Sequence, residues 1–409
     1  MFDTVFNLFK FLTWTTYTKL FYNRNDFYKD LFLRLHNFNP IIVKILQCSA
    51  NNTELWDNET IQILKLYTDR VPYNENDVDY DVIYDLINNK KITFNNINKP
   101  LNSGTISLVY DGTYKDNKVI IKIKRKGIEK KIKENSIELE NIIHLFKFIP
   151  YLNKLQIEDN YNIYKPLLET QCNFINEIEN LEKYRKNFKL NKQVKFPKVY
   201  NELCSNESIV LEYIDAIKIE NISDNDKNEY MNIMSEVMTH SLVVYGFFHC
   251  DAHSGNLLFK KENNKNILYI IDFGICGKYN IEELNNYYDF FSEIGKSDYD
   301  KVSELFIKFF TDCKNSHNQY DLIFQDIKKL FYDSFEIKKE FSFIEIYILY
   351  NILKKYNVTT NYSWMKTELA IAAVDGCMKE LRHDDFGLTD AIKNKINKLN
   401  ELNDSDLLN

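Results

Sequence analysis

The chain has 409 residues, 44% apolar and 27% charged, with a formal net charge of −7. Such a chain can bury a sizeable core as one large two-lobed domain or two ordinary ones, and is not a disordered polymer. The negative balance argues against a general nucleic-acid binder, so no nucleic-acid partner is expected.

Residues 1–22 are dense in Phe, Leu and Trp but are interrupted by Lys10, and no apolar run of about 18 residues follows. Phe2, Val5, Phe6, Phe9 and Leu12 share one face of a helix, read as packing on the domain, with peripheral membrane contact as the alternative. Three- and four-residue apolar spacing predicts helices over 26–35, 40–47 and 59–67. Val71-Pro72 stops the third, because proline restricts the residue before it. A fourth helix is predicted over 77–89. Seven cysteines are scattered without CxxC pairs or zinc-ligand spacing, and no secretory signal is visible. They read as free thiols in a reducing compartment.

After Pro100 the texture changes. SLVYDGTY and KVIIKIKR read as consecutive antiparallel strands separated by Lys115-Asp116-Asn117. Helices follow over 128–148 and 167–188, the second with Phe174, Ile178 and Leu181 on one face. Strands are predicted over 198–202 and 208–212. A buried helix over 228–245 carries Met231, Met234, Val237, Met238 and Leu242 as core. Two further strands, 257–260 and 267–271, flank the polar loop KENNKN. Beyond Ile281 the pattern is helical, with a frayed tail after Leu399. This order, a small β-containing part and then a helical part, is α+β. No G-x-G-x-x-G joins a strand to a helix, which argues against a Rossmann fold.

The residues with the strongest chemistry lie in HCDAHSGNLLF and ILYIIDFG. Phosphoryl transfer needs a carboxylate to orient or deprotonate a hydroxyl or water, and oxygen ligands to hold Mg²⁺ against ATP phosphates. Asp251, Asn256 and Asp272 supply that set. A hairpin between Asn256 and Asp272 would bring the two oxygen ligands together. Singly, each residue has a commoner use, as a cap, a turn residue or a strand end; in this order they point to a nucleotide and metal site. His249 and His253 read as orienting the loop rather than binding zinc. Lys122 alternates with Ile121 and Ile123, which places it on the opposite strand face, where it can neutralise phosphates. The alternative for it is a solvated strand lysine such as Lys124. Upstream, PLNSGTISLVY has one glycine, Gly104, between Ser103 and Thr105, where a kinase covers the phosphates; alone this is a weak signal.

With these residues in hand, the chain resembles the ABC1/UbiB/ADCK family of atypical kinases. FFHCDAHSGNLLF and YIIDFGICGK are similar to the family pattern F-H-A-D-P-H-P-G-N…D-F-G, and the resemblance covers roughly residues 38–280. It implies a two-lobed protein-kinase-like fold with an N-terminal helical extension covering the cleft. The expected divisions are an extension over 1–95, an N-lobe with inserted helices over 96–213, and a helical C-lobe over 214–409. It implies Lys122 as the phosphate lysine, Glu177 as its partner, Asp251 as the catalytic aspartate, and Asn256 and Asp272 as Mg²⁺ ligands. Residues 100–109 correspond to the alanine-rich loop, with Asn102, Ser103 and Gly104 replacing three alanines and Thr105 a serine. ATP and Mg²⁺ are the implied cofactors, and a lipid or quinone-like molecule near a membrane the implied partner. The expected place is intracellular, either cytoplasmic or peripherally membrane-associated.

The departures are local. The family's K-x-G-Q element is matched by Lys44-Ile45-Leu46-Gln47, but its E-x-D partner reads Gln171-Cys172-Asn173. Losing a buried ionic partner costs about 3–5 kcal/mol when nothing compensates. Gly104 admits backbone angles that alanine resists. Both changes lead to the expectation of a relaxed covering extension and altered nucleotide preference. Ala252 and Ser254 replace prolines in the catalytic loop. The implied activity is that of an Mg-ATP-dependent atypical kinase or ATPase, with a nucleotide-binding pseudokinase as the alternative. The absence of a clear A-P-E element after Gly274 argues against an ordinary protein kinase.

Overall fold

The computed structural model describes residues 70–146, 169–314, 318–338 and 343–381, with single positions at 27, 30, 31, 34, 39, 41, 161, 165, 166, 341, 393, 394, 396 and 397. The aromatic N-terminal segment, Lys44-Ile45-Leu46-Gln47, nearly all of the three helices expected before residue 70, and the tail after Leu399 lie outside them. Two compact units divide the chain, Met1–Glu179 with Pro197–Tyr213 and Asn180–Phe196 with Ile214–Asn409.

The strands are β1 (Thr93–Phe94), β2 (Asn102–Ser103), β3 (Ser107–Tyr114), β4 (Asn117–Lys124), β5 (Val194–Lys195), β6 (Ser208–Glu212), β7 (Phe247–His249), β8 (Leu257–Glu262), β9 (Lys265–Ile270) and β10 (Cys276–Lys278). The helices are α1 (Tyr80–Asn88), α2 (Ile128–Phe146), α3 (Phe174–Asn187), α4 (Asp224–Thr239), α5 (Ile281–Lys296), α6 (Tyr299–Phe310), α7 (Tyr320–Tyr332), α8 (Phe343–Lys355) and α9 (Tyr362–Leu381).

In the first unit the sheet order is β1-β3-β4-β6, with β2 pairing β3. Tyr114 pairs with Asn117, and the two residues between them, Lys115 and Asp116, have φ of 46° and 64°. That left-handed pair makes a two-residue hairpin turn whose twist suits the flanking strands. Val119, Ile121 and Ile123 of β4 join Leu108, Tyr110 and Tyr114 of β3 and Ile83 and Leu86 of α1 in one core. The period of two then puts Lys122 and Lys124 on the other face.

The strand expected over 198–202 does not form. Val199 makes only an isolated bridge to Leu211, and a 3₁₀ turn takes Asn201–Leu203. The helix expected from 167 is interrupted, and α3 starts at Phe174. Asn173 is the reason, because its side chain accepts from the Asn176 N–H at 3.1 Å and so caps the helix. Asparagine and aspartate cap about equally well, so this position keeps its helix-starting role without the carboxylate of the family triplet.

In the second unit β8 and β9 form a hairpin, with β5 parallel to β9. KENNKN is not a loop, since the strands run through it to a turn at Asn263 and Asn264, with φ of 48° and 61°. Asparagine tolerates this conformation better than most residues. The pair β7–β10 lies apart from that sheet. Helix α4 begins at Asp224 and ends at Thr239, and a π turn at His240–Val244 completes the segment expected as one helix. Met231, Met234 and Met238 are buried in the core. Trp364 of α9 is fully buried against Phe290, Phe306 and Phe310. Among the described residues no helix is long and apolar enough to cross a membrane, and no disulfide joins the six described cysteines.

Candidate functional site

In the first unit Lys122 Nζ donates to Glu177 Oε1 at 2.5 Å, and both side chains are buried. Glu177 stands one turn into α3, after the Asn173 cap, so the cap fixes where along the strand the carboxylate falls. Lys124, expected as a solvated contrast to Lys122, is itself only 2% exposed. It pairs with Glu129 and lies 3.7 Å from Glu207, with its ammonium 5.4 Å from the Phe174 ring centroid. The strand face that reads as exposed is therefore covered, and two successive lysines on it meet positions one turn apart on α3.

The loop after β2 departs from its sequence reading in two ways. Gly104 is not in the left-handed region, and a Cβ there would meet Ser107 O at 3.6 Å, an ordinary contact. Its backbone is one that alanine can adopt, so the expected extra conformational freedom is not used. The Ser103 hydroxyl donates to Val71 O and accepts from Arg125 Nη2 at 3.3 Å. Thr105 Oγ1, by contrast, is buried without a hydrogen-bond partner. Arg125 escaped the sequence reading because KIKRK looks like a solvated basic run; only its partners in 71–77 and 103–104 reveal it.

In the second unit the residues are assembled around His249. Its Nδ1 accepts from the Asp251 N–H at 2.9 Å, which leaves the proton on Nε2, and Nε2 donates to Asp272 O at 2.5 Å. One neutral imidazole thus ties the segment bearing Asp251 to the segment bearing Asp272. Burial pushes this imidazole below its ordinary pKa, against the opposing pull of Asp251 and Asp272. Protonation favours the unfolded chain, so the stabilisation is full above the ordinary histidine value of about 6.5 and is lost as pH falls below it. We expect an unfolding free energy, measured in urea, that falls with acidification by at most about 1.4 kcal/mol per pH unit from this group, and a flatter profile in His249→Asn. An identical profile in that variant would remove the assignment.

Asn256 Nδ2 donates to Asp251 O at 2.8 Å, which commits the amide nitrogen to the protein. Asn256 O accepts from Ile271 N at 3.0 Å, just beyond the Leu257–Ile270 pair that closes the hairpin. The hairpin therefore sets Asn256 beside the chain leading into Asp272. Asp272 Oδ1 accepts from Gly274 N at 3.0 Å, which holds the turn. Phe273 is fully buried, 5.0 Å from the Tyr184 ring and 5.4 Å from that of His249, and its carbonyl accepts from Asn180 Nδ2 at 3.0 Å. Cys250 N bonds Ile275 O at 3.0 Å, and the Cys377 thiol reaches Ala252 O at 3.1 Å.

A close approach under this segment makes one glycine indispensable. A Cβ at Gly277 would lie 2.3 Å from the Phe248 ring and 3.1 Å from Cys250 Sγ. Overpacking of this kind costs about 1–3 kcal/mol. Gly277→Ala should lower the urea midpoint accordingly; an unchanged midpoint would show that the β7–β10 pair gives way at no cost.

Within each unit, taken by itself, the polar atoms are of the kind that Mg-ATP requires. Asn256 and Asp272 offer one amide and one carboxylate oxygen, and among the described residues no group of three or more His, Cys, Asp or Glu could hold an ion. A sparse donor set suits Mg²⁺, which keeps waters and phosphate oxygens about it. The unpartnered Thr105 hydroxyl is a donor that a phosphate oxygen would satisfy.

The sequence profile described as "ABC1 atypical kinase-like domain" matches residues 41–306. A "Probable protein kinase UbiB" of Shewanella pealeana is 27% identical over 287 residues, covering 68% of this chain and 52% of that protein. An "Uncharacterized protein in hydrogenase 1 5'region" of Clostridium pasteurianum is 32% identical over 252 residues, covering 58% and 46%. The chain spans about half the length of the curated relatives it matches. Among solved structures, that of the Rv3197–erythromycin complex from Mycobacterium tuberculosis aligns with a TM-score of 0.50 at 16% identity, covering 86% of this chain and 90% of that one. That likeness shows a shared mixed α/β fold.

Proposed function

Because the chain belongs to the ABC1 atypical kinase-like family, we propose that it binds Mg-ATP and acts as an atypical kinase or ATPase. The observation that carries this reading is the buried Lys122–Glu177 pair. Burying two charges costs more than burying two apolar side chains of the same size, so such a pair is poor at stabilising a fold and is best explained by a task for the lysine. In this reading Lys122 neutralises ATP phosphates and Glu177 holds its ammonium in place. Ser103, Gly104 and Thr105 form the loop over the phosphates. Asn256 and Asp272 hold Mg²⁺, which supplies charge neutralisation at the phosphates. Asp251 orients or deprotonates the attacking hydroxyl or water.

A nucleotide-binding pseudokinase with a regulatory or scaffolding role is the second reading. It is favoured by the Ser103 hydroxyl, which is spent on the protein itself. Calorimetric titration with ATP, with and without Mg²⁺, followed by phosphate release on the same preparation, separates the two. Binding with turnover supports the enzyme, binding without turnover the pseudokinase, and no binding removes both. The resemblance also points to a lipid or quinone-like acceptor with peripheral membrane contact. Turnover stimulated by quinone-headgroup analogues or anionic vesicles would support that acceptor, and turnover indifferent to both would remove it.

A further inference from the structure

Arg125 follows β4 and is only 2% exposed. Its guanidinium joins three separate stretches of chain. Nε donates to Gly104 O at 3.0 Å. Nη1 donates to Pro72 O at 3.0 Å and to Asp77 Oδ2 at 3.2 Å. Nη2 donates to Val71 O at 3.2 Å and to Ser103 Oγ at 3.3 Å. Two further bonds bind the same stretches to each other, Val71 N to Ser103 O at 2.8 Å and the Ser103 hydroxyl to Val71 O.

A rigid five-donor fork fixes the mutual placement of its acceptors in a way that a lysine ammonium does not. The cost is a buried cation. Burial pushes the guanidinium down to about 10, with Asp77 opposing the fall, so it stays charged at neutral pH. Packing alone does not call for a charge here, because an apolar side chain would fill the space at lower desolvation cost. What the fork adds is geometry at Ser103 and Gly104, directly before Thr105, whose hydroxyl is buried and unpartnered.

We propose that Arg125 is a positioning residue for nucleotide binding: by holding Gly104 O and Ser103 Oγ it sets the loop that presents Thr105 to the phosphates. The inference rests on the nucleotide reading above. Ser103 acts in the same way, through the loop rather than on the ligand. Asp77 and the Val71-Pro72 carbonyls complete the seat, so the segment leading into α1 shares control of the loop.

The test uses Arg125→Lys, which keeps the charge and loses the fork, and Ser103→Ala, which removes one acceptor without stranding a cation. Mg-ATP affinity by calorimetry and the urea midpoint are measured on the same full-length samples, each verified as folded by circular dichroism. Each variant should bind Mg-ATP about tenfold more weakly, and the double variant should be no weaker than the worse single one. A purely structural role would move the midpoint and leave the affinity of folded protein at the wild-type value, and that result overturns the proposal. Should Arg125→Lys fail to fold, Ser103→Ala decides alone. Wild type that does not bind Mg-ATP removes the nucleotide reading and this inference with it; wild-type binding with unaffected variants removes the inference alone.

Discussion

Asp272→Asn should reduce Mg²⁺-dependent ATP turnover by at least about 100-fold while leaving the protein folded. The expectation of an intact fold comes from the Asp272 Oδ1 bond to Gly274 N, which an asparagine oxygen can also accept. The loss comes from charge: an amide keeps a ligand oxygen but gives up the anion that offsets Mg²⁺. Phosphate release at saturating Mg-ATP, beside a urea curve matching that of wild type, would establish the effect. Turnover that survives unchanged would mean that Asp272 holds no metal. A collapse of both turnover and stability would mean that its main work is the turn.

The second large effect is on stability. Glu177→Ala leaves the Lys122 ammonium buried without its carboxylate and should cost about 3–5 kcal/mol. Replacing both charges, Lys122→Met with Glu177→Leu, should recover most of that loss, because the apolar pair avoids desolvation. Urea unfolding of wild type, Lys122→Met, Glu177→Leu and the double variant closes a thermodynamic cycle. A Glu177→Ala cost below about 1 kcal/mol would show the pair to be an exposed-type contact, contrary to its burial. If the double variant is stable and binds no nucleotide, the pair serves ligand binding and not the fold.

Much of this was legible in the residues, and what was not has identifiable physical causes. Lys122 is readable because Ile121 and Ile123 alternate with it, and the core they enter defines the other face. Lys124 obeys the same alternation, yet its burial depends on Phe174, Glu129 and Glu207, which approach from elsewhere in the chain. The strand-like run at 198–202 has strand composition, but a 3₁₀ turn from Asn201 takes its end. The Asn263-Asn264 turn reads as a loop because its residues are polar, although left-handed asparagines are what a short hairpin requires. His249 is visible as an orienting residue, whereas its link from the Asp251 N–H to Asp272 O depends on a contact between β7 and the residue after Ile271. Arg125 is the deepest omission, since nothing local marks it and its acceptors lie 21 to 54 residues away. The Lys44 element and its proposed covering role concern residues outside those described.

Cys250 sits between His249 and Asp251, buried, and burial pushes its thiol up to about 12. A thiol that is covered and neutral does not meet an alkylating reagent as a thiolate until its segment opens. Its labelling rate in the native protein is therefore a clock for local opening of the segment that carries Asp251. The same residue gives a dye-free way to ask whether nucleotide slows that opening, with mass spectrometry reading the modified peptide.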